Sequence, residues 1–390
     1  MKTGYTPHPQ MILTGIRKKL IRLRVGWHMA RVVYRSCKSA VLCMKTLEQL
    51  AQHRKNYAGE KIKKIAKVDG KYYWDLYIPG YKSLAITNFF DGETNRISGT
   101  EKKTNRFTNI LIAITKACPL KCEHCFEWDA LNGRETLSLS DIKTLVRKFQ
   151  DQGTGIIQLT GGEPMMRVDY LLEILKSAGP GTEFWILTSG YNLTPENAQK
   201  LKRAGLTGVV ISLDHFNPDV HNLFRGSNKS FEWVQTGVKN AIEANLVAAL
   251  SICVSKSFAT ESNLMEYAGL AKEMGVSFIQ LLEPRAVGHY KGKDVLLDAV
   301  HEKTLEEFYL KMNFNRKFRK YPIVCYHGYY QRRTGCFGAA NRSLYVDTDG
   351  DVHACPFCRT KMGSALYDDL EQLTGPLEST GCPRYATANF

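Results

Sequence analysis

The sequence predicts an α/β protein: a partial (β/α)6 TIM-like barrel, with a basic helical N-terminal region before it and a small cysteine-rich β-hairpin module after it. Three observations in the 390 residues carry this expectation. Six apolar runs alternate with helical patterns through the middle of the chain. Seven of the eleven cysteines collect at the two ends of that stretch, and nearly all the net charge lies ahead of it. With 44% apolar and 23% charged residues the chain can bury a sizeable core, which excludes a disordered, collagenous or coiled-coil array.

The N-terminal region is expected over residues 1–105. Residues 1–71 hold 17 Lys/Arg against Glu48, Glu60 and Asp69, a net of +14 out of +15, and the remainder has 36 basic and 35 acidic residues. The charge therefore belongs to a leader on a near-neutral body, which argues against a uniformly basic nucleic-acid-binding protein. Leu13, Ile16, Leu20, Leu23, Trp27, Ala30, Tyr34, Cys37, Val41 and Met44 recur at spacings of three and four, which predicts one apolar helical stripe with cations around it. Gly26 is a weak point at which two helices could part. Residues 72–92 read as short strands around a Pro79-Gly80 turn. No secretory signal is visible, and the longest strongly apolar run, Leu246 to Val254, is far shorter than the roughly 20 residues that span a bilayer.

The barrel is expected over residues 106–319. Strand-like runs fall at 108–115, 155–160, 184–189, 208–213, 248–255 and 277–282. Helical patterns fall near 140–152, 168–178, 195–204, 231–245, 262–274 and 299–313, with Ser140 and Thr194 as N-caps. In such a fold the site lies at the C-terminal ends of the strands. The last module, 320–390, is read from Leu344-Tyr345-Val346, the Asp349-Gly350 turn and Val352-His353, a hairpin flanked by cysteines.

The cysteines carry the chemistry. An odd total of eleven suits a disulfide framework poorly, and two clusters suggest two metal sites in a reducing compartment. Cys118, Cys122 and Cys125 (CPLKCEHC) directly follow the first barrel strand. Three thiolates so spaced can hold three corners of an iron–sulfur cube and leave one iron open. A structural zinc site is the competing reading, with only His124 near enough to serve as a fourth ligand. Farther on, Leu159-Thr160-Gly161-Gly162-Glu163-Pro164 ends the second strand, Leu187-Thr188-Ser189-Gly190 the third, and Ser212-Leu213-Asp214 the fourth. Glycines there permit close backbone approach, and a carboxylate suits an ammonium.

These motifs, in this order over residues 106–320, resemble the radical SAM superfamily. The resemblance implies a [4Fe-4S] cluster on Cys118, Cys122 and Cys125 that binds S-adenosylmethionine, with Gly161, Gly162, Glu163, Ser189, Ser212 and Asp214 around the cofactor and His124 beside its adenine. It implies reductive cleavage of S-adenosylmethionine to a 5′-deoxyadenosyl radical, which takes a hydrogen atom from the substrate. Cys336, Cys355, Cys358 and Cys382 resemble the auxiliary-cluster extension called SPASM, or its shorter twitch form, with four cysteines in place of about seven. That implies one second, fully ligated auxiliary [4Fe-4S] cluster, fit to accept an electron in a net two-electron oxidation. A four-cysteine zinc ribbon is the alternative for this module, and a non-catalytic iron–sulfur or zinc scaffold the alternative for the whole chain. Cys325 and Cys253 read most simply as packed thiols.

The catalytic base is not identified; Glu283, Arg285, His215, Glu127 and Asp129 are candidates by position, each with a simpler reading as a structural or solvated residue. The expected partners are an electron donor such as flavodoxin or ferredoxin and a peptide, sugar or lipid-linked substrate. The expected location is the cytoplasm. The basic leader has four readings: a helix packed on the barrel with its charges solvated, contact with an anionic membrane surface, an acidic polypeptide partner, or, last, nucleic acid.

Overall fold

The computed structural model describes residues 10–37, 39–58, 64–98, 107–336, 338, 342–370, 372–373 and 382. The expected boundary near residue 105 falls outside these. Ten strands form the main sheet, in the order β10-β9-β8-β7-β6-β5-β4-β11-β12-β13. They are β4 (Asn109–Ala113), β5 (Ile156–Thr160), β6 (Glu183–Thr188), β7 (Leu206–Ser212), β8 (Val247–Cys253), β9 (Phe278–Leu282), β10 (Ile323–Tyr326), β11 (Ser343–Val346), β12 (Asp351–His353) and β13 (Gly363–Ser364). The six expected strands are all present, and every neighbouring pair from β4 to β9 is parallel. Their near-continuous burial explains the unbroken apolar runs, since helices cover one face and the barrel interior the other.

The six expected helices are present as α4 (Leu139–Asp151), α5 (Val168–Ser177), α6 (Pro195–Arg203), α8 (Ser230–Glu243), α9 (Glu261–Glu273) and α10 (Ala299–Phe314), with a short α7 (Pro218–Arg225) that the pattern did not reveal. Thr194 caps α6 as expected. The cap of α4 is Ser138 and not Ser140: its hydroxyl accepts from the Asp141 N–H while the Asp141 carboxylate accepts from the Ser138 N–H, a reciprocal box that Ser140, already inside the helix, cannot form.

Four strands extend the sheet beyond the expected six, β10 at one end and β11, β12 and β13 at the other. β10 pairs parallel to β9, and β11, the first strand of the expected hairpin, pairs parallel to β4 before turning antiparallel to β12. The sheet does not close, because β10 and β13 stand at opposite ends of the order.

The N-terminal elements are β1 (Met11–Leu13), α1 (Gly15–Ser36), α2 (Ala40–Ala58), β2 (Ile65–Val68), β3 (Lys71–Tyr73) and α3 (Ala85–Ser98). The first three-stranded sheet, β1-β2-β3, plugs the barrel floor: Ala66, Val68, Tyr73 and Leu76 pack on Ile156, Trp185, Val247, Phe278 and Ile323, which lie at the start of their strands. Residues 85–92, expected as strand, are helix; the buried Ile86 and Phe90 are four apart and pack against Val32 of α1. α1 runs unbroken through Gly26 to Ser36, and α2 begins at Ala40.

Most of the apolar stripe faces solvent, contrary to the reading of this helix as simply packed on the barrel with its charges solvated. Ile16, Leu20, Leu23, Trp27, Tyr34, Val41 and Met44 are exposed, while α1 packs through Ile21, Val32 and Val33, with Val25 and Met29 partly buried. The helix is apolar on two faces. The smaller, more branched one meets α3, and the larger side chains are left outside.

Polar contacts bolt this unit to the barrel. The Lys64 ammonium donates to the carbonyls of Phe318, Tyr321 and Pro322 at 3.1, 2.7 and 2.8 Å, and Arg342 forms a two-point pair with Glu93 at 2.9 and 3.0 Å. The Gly80 N–H donates to the buried Glu183. Lys64→Met strands three buried acceptors and is expected to lower stability by about 1–3 kcal/mol. Urea unfolding of the two proteins measures this, and an unchanged midpoint refutes the bolt.

Candidate functional site

A single cavity of about 1080 Å³ opens at the C-terminal ends of the barrel strands. Eight cysteines line it: Cys118, Cys122 and Cys125 from the loop after β4, Cys336, Cys355, Cys358 and Cys382 from the C-terminal segment, and Cys253 at the end of β8. Sequence places the first two groups more than 200 residues apart. The parallel pairing of β11 with β4 brings them to one chamber.

The glycine turn after β5 sits hard against the first cysteine loop. Gly162 N–H donates to Thr115 O and Glu163 N–H to Ala117 O, both at 2.8 Å. A Cβ on Gly161, whose φ is +133°, would lie 2.5 Å from Thr115 O, and one on Gly162 would lie 2.4 Å from Ala117 O. No other residue permits that approach.

Glu163 is almost wholly buried, and protein donors use both its oxygens. One accepts from Thr188 Oγ1 at 2.7 Å and Met165 N–H at 3.0 Å. The other accepts from Ser189 Oγ at 2.6 Å and Ser189 N–H at 2.8 Å. Burial raises its pKa, against the pull of these donors. Glu163 and Ser189 are thus brought together, but toward each other: the pair ties the end of β5 to the end of β6.

Asp214, after β7, is the hub of a second buried network. Arg225 Nε donates to it at 2.6 Å, His124 Nε2 stands 3.3 Å away, and the Cys253 N–H donates to it at 3.1 Å. Burial alone would raise this carboxyl; Arg225 first and then His124 outweigh it and hold it well below the usual carboxylate range. The same guanidinium donates to Cys122 Sγ at 3.5 Å. His221, which accepts from the Asp214 N–H, is pulled down to about 4 by burial and then by Arg225, so it is neutral near pH 7. Ser212 lines the chamber beside this network.

The loop itself is fastened from outside. Trp128 stacks on His289 with ring centroids 3.9 Å apart, and the His289 N–H donates to Cys125 O at 2.9 Å. In the second group the Cys358 N–H donates to Cys355 O, and burial, followed by the neighbouring Cys358 and Cys382, raises the Cys355 thiol. Of the base candidates, Glu127, Glu283 and Arg285 line the chamber, and His215 and Asp129 do not. Glu283 is held by Arg332 at 2.6 Å and Tyr326 at 2.8 Å. Glu127 accepts from Tyr345 at 2.8 Å and Arg359 at 2.6 Å, which joins the first cysteine loop to the second module. Cys325 is buried in the barrel floor, whereas Cys253 lines the chamber.

Comparison with known proteins places this chemistry. Residues 112–256 match the Radical SAM superfamily. That segment is a radical SAM domain. The chain is 27% identical over 287 residues to a probable GTP 3′,8-cyclase of Pyrococcus horikoshii, covering 70% of this chain and 88% of that protein. It is 26% identical over 288 residues to an AdoMet-dependent heme synthase of Methanosarcina barkeri, covering 67% and 80%. The fold resembles that of Streptococcus suis SuiB bound to its precursor peptide SuiA, with a TM-score of 0.57 at 15% identity over 75% of this chain and 72% of that one.

The cofactors of a radical SAM domain are a [4Fe-4S] cluster and S-adenosylmethionine. The residues of the chamber fit them. Burial pushes the thiols of Cys118 and Cys125 up to about 12, an environment that disfavours a free thiolate and favours a sulfur bound to a cationic metal. Among the described residues no three His, Cys, Asp or Glu side chains converge tightly enough to grip a single ion. Thiols spread around a chamber suit a body of several irons.

Arg225 is the residue the sequence did not disclose. It is the last residue of α7, before the left-handed Gly226, and a basic residue there reads as a solvated helix-end charge. Arg225→Met leaves Asp214 buried without its main partner and is expected to cost about 3–5 kcal/mol, with part recovered in Arg225→Met/Asp214→Asn. Denaturant midpoints of the three proteins test this. A single variant as stable as its parent overturns the assignment.

Proposed function

We propose that this chain is an oxidising radical SAM enzyme with two clusters facing one substrate chamber. Cys118, Cys122 and Cys125 hold the first, and Cys336, Cys355, Cys358 and Cys382 an auxiliary [4Fe-4S] cluster of SPASM or twitch type. The single observation that carries this reading is that both cysteine groups, 200 residues apart in sequence, line the same cavity as the Gly161-Gly162 turn. When bound, the first cluster with S-adenosylmethionine supplies one-electron reduction and hydrogen-atom abstraction, chemistry no side chain offers.

The chain's own part is placement. The backbone of residues 161–163 would hold the cofactor's amino acid end, and Glu163, whose oxygens are already committed to Thr188 and Ser189, keeps that backbone in position. Asp214 orients His124 and Arg225. Arg225 sets a fixed positive charge beside Cys122, which favours its thiolate. Glu127 and Glu283, which line the chamber and are tied to Arg359 and Arg332, are the carboxylates available to take a substrate proton. A net oxidation needs an exit for the second electron, and the auxiliary cysteines stand where a substrate between the two groups would meet them. The initiating electron would come from flavodoxin or ferredoxin. Eleven cysteines with no disulfide among them support a reducing, cytoplasmic setting. Relatives named as a cyclase and a heme synthase share the domain, so the chamber walls beyond it, not the domain, select the substrate.

Anaerobic reconstitution tests this. The full chain is expected to bind about eight irons and the Cys355→Ala/Cys358→Ala variant about four, from four per cluster. With a reductant and S-adenosylmethionine, both should form 5′-deoxyadenosine, and Cys118→Ala none. Four irons in the unaltered chain, unchanged by the double substitution, remove the auxiliary cluster. Absence of 5′-deoxyadenosine in the reconstituted chain removes the enzyme.

A further inference from the structure

The N-terminal unit presents two features that the chemistry above does not use. The first is the outer face of α1. Ile16, Leu20, Leu23, Trp27 and Tyr34 lie on one side of the helix, between 52 and 76% exposed, and Val41 and Met44 of α2 continue the exposed apolar surface. From residue 16 to 34 this strip is roughly 27 Å long at the helical rise of 1.5 Å per residue. An apolar strip of that length is unusual on a solvated surface. Arg17, Arg24, Arg31 and Arg35 are exposed along one edge of it, and α1 contains no acidic residue.

The second feature lies beneath the same helix. The chamber extends sideways from the cysteines into an apolar passage walled by Val25 and Met29 of α1, Leu47 and Leu50 of α2, Trp74 and Phe89. This follows from the open sheet. α2 packs on α11 (His327–Thr334), which directly follows β10, and α3 is tied by Glu93 to Arg342, which directly precedes β11. The helices therefore bridge the gap in the barrel, and their inner faces become its wall. At the outer end stand Arg22 and Arg54, two cations that form no ion pair among the described residues. The whole cavity, about 1080 Å³, lies at the upper end of the roughly 300–1,000 Å³ usual for small-ligand sites.

We propose that α1 seats on an anionic bilayer surface and that the passage beneath it admits the hydrocarbon chain of an amphiphilic substrate, with Arg22 and Arg54 at its mouth receiving an anionic head group. An apolar face edged by arginines is the chemistry of an interfacial helix, whose long cationic side chains reach the phosphates while the apolar side chains enter the acyl layer. A solvated-charge helix would need only its inner face to be apolar. An acidic polypeptide would use the arginines but leave Leu20, Leu23 and Trp27 uncovered. A passage walled mainly by apolar side chains, with Asp75 and the Arg342-paired Glu93 also on the cavity wall, and with cations at its mouth matches the polarity of a lipid better than that of a peptide or a sugar. The substrate assignment rests on the radical SAM reading of the chamber; the binding assignments stand without it.

Two variants of the full chain separate the parts. Leu23→Glu/Trp27→Glu alters only exposed positions. Gly26→Trp fills the passage at a site where a Cβ meets nothing within 4 Å. The unaltered chain is expected to co-sediment with vesicles of phosphatidylcholine plus phosphatidylglycerol at least about tenfold more strongly than with phosphatidylcholine alone, and less in high salt. Leu23→Glu/Trp27→Glu should lose that binding about tenfold at unchanged helix content. Gly26→Trp should keep it yet retain about tenfold less lysophosphatidylglycerol, the probe for the passage. No binding, equal binding to both vesicles, or an unaltered double variant overturns the membrane seat. So does a dimer that the double variant converts to monomer, since a second copy would then cover the face. Equal lysophosphatidylglycerol retention by Gly26→Trp overturns the passage. Substrate-free 5′-deoxyadenosine formation, expected to be parental in both variants, reports separately on the chamber chemistry.

Discussion

The chamber depends on one contact between two backbones. The turn after β5 lies so close to the loop after β4 that Gly162 and Glu163 hydrogen-bond to Thr115 and Ala117 with no space for a side chain between them. That contact fixes where Cys118 begins its loop, and therefore where the three thiols stand. Glu163 then carries the constraint onward, since its carboxylate binds Thr188 and Ser189 and so sets the end of β6 against the end of β5. Asp214 does the same for β7 and β8 through Arg225 and the Cys253 N–H. Side chains that look like a ring of cofactor ligands are in part a ring of braces, and the backbone they brace lines the chamber.

Buried charge is handled throughout by pairing. Asp214 with Arg225 and Glu283 with Arg332 put carboxylates and guanidiniums together near the chamber wall. Glu127 does likewise with Arg359, and one of its oxygens remains buried without a hydrogen bond. Such pairs add little net stability in place of apolar packing, and their persistence here fits a need for fixed local charge beside sulfur and substrate.

Much of this was legible in the sequence. The six barrel strands were readable because parallel strands buried on both faces give continuous apolar runs, and the cysteine groups because thiol spacing survives without three-dimensional information. Three things were not. The strand Ile323–Tyr326 is only four residues long and lay in a segment read as the start of the metal module. Arg225 looked like any helix-end cation, since a sequence does not show that Asp214 and Cys122 will surround it. The stripe was real along α1 from Ile16 to Tyr34 but pointed outward, while Leu13 is buried in β1: periodicity reports that a helix has an apolar face, and cannot say which of two faces meets the body. Residues 72–92 misled because aromatic residues suit strands locally, whereas Ile86 and Phe90 are spaced for helical packing.

The position of the N-terminal unit also constrains how the molecule is assembled. β1, α1, α2 and α3 are made first, yet their anchors are Phe318, Tyr321 and Pro322 for Lys64, and Arg342 for Glu93, roughly 250 residues later. At the usual synthesis rate of about 5–20 residues per second, the unit waits roughly ten to fifty seconds for its dock. During that interval the outer face of α1 is uncovered, while its inner face already has α2 and α3 to pack on, and the barrel gap it will close does not exist. A later-synthesised segment thus secures an earlier one. A nascent chain with an unburied, arginine-edged helix has every reason to rest against a surface while it waits.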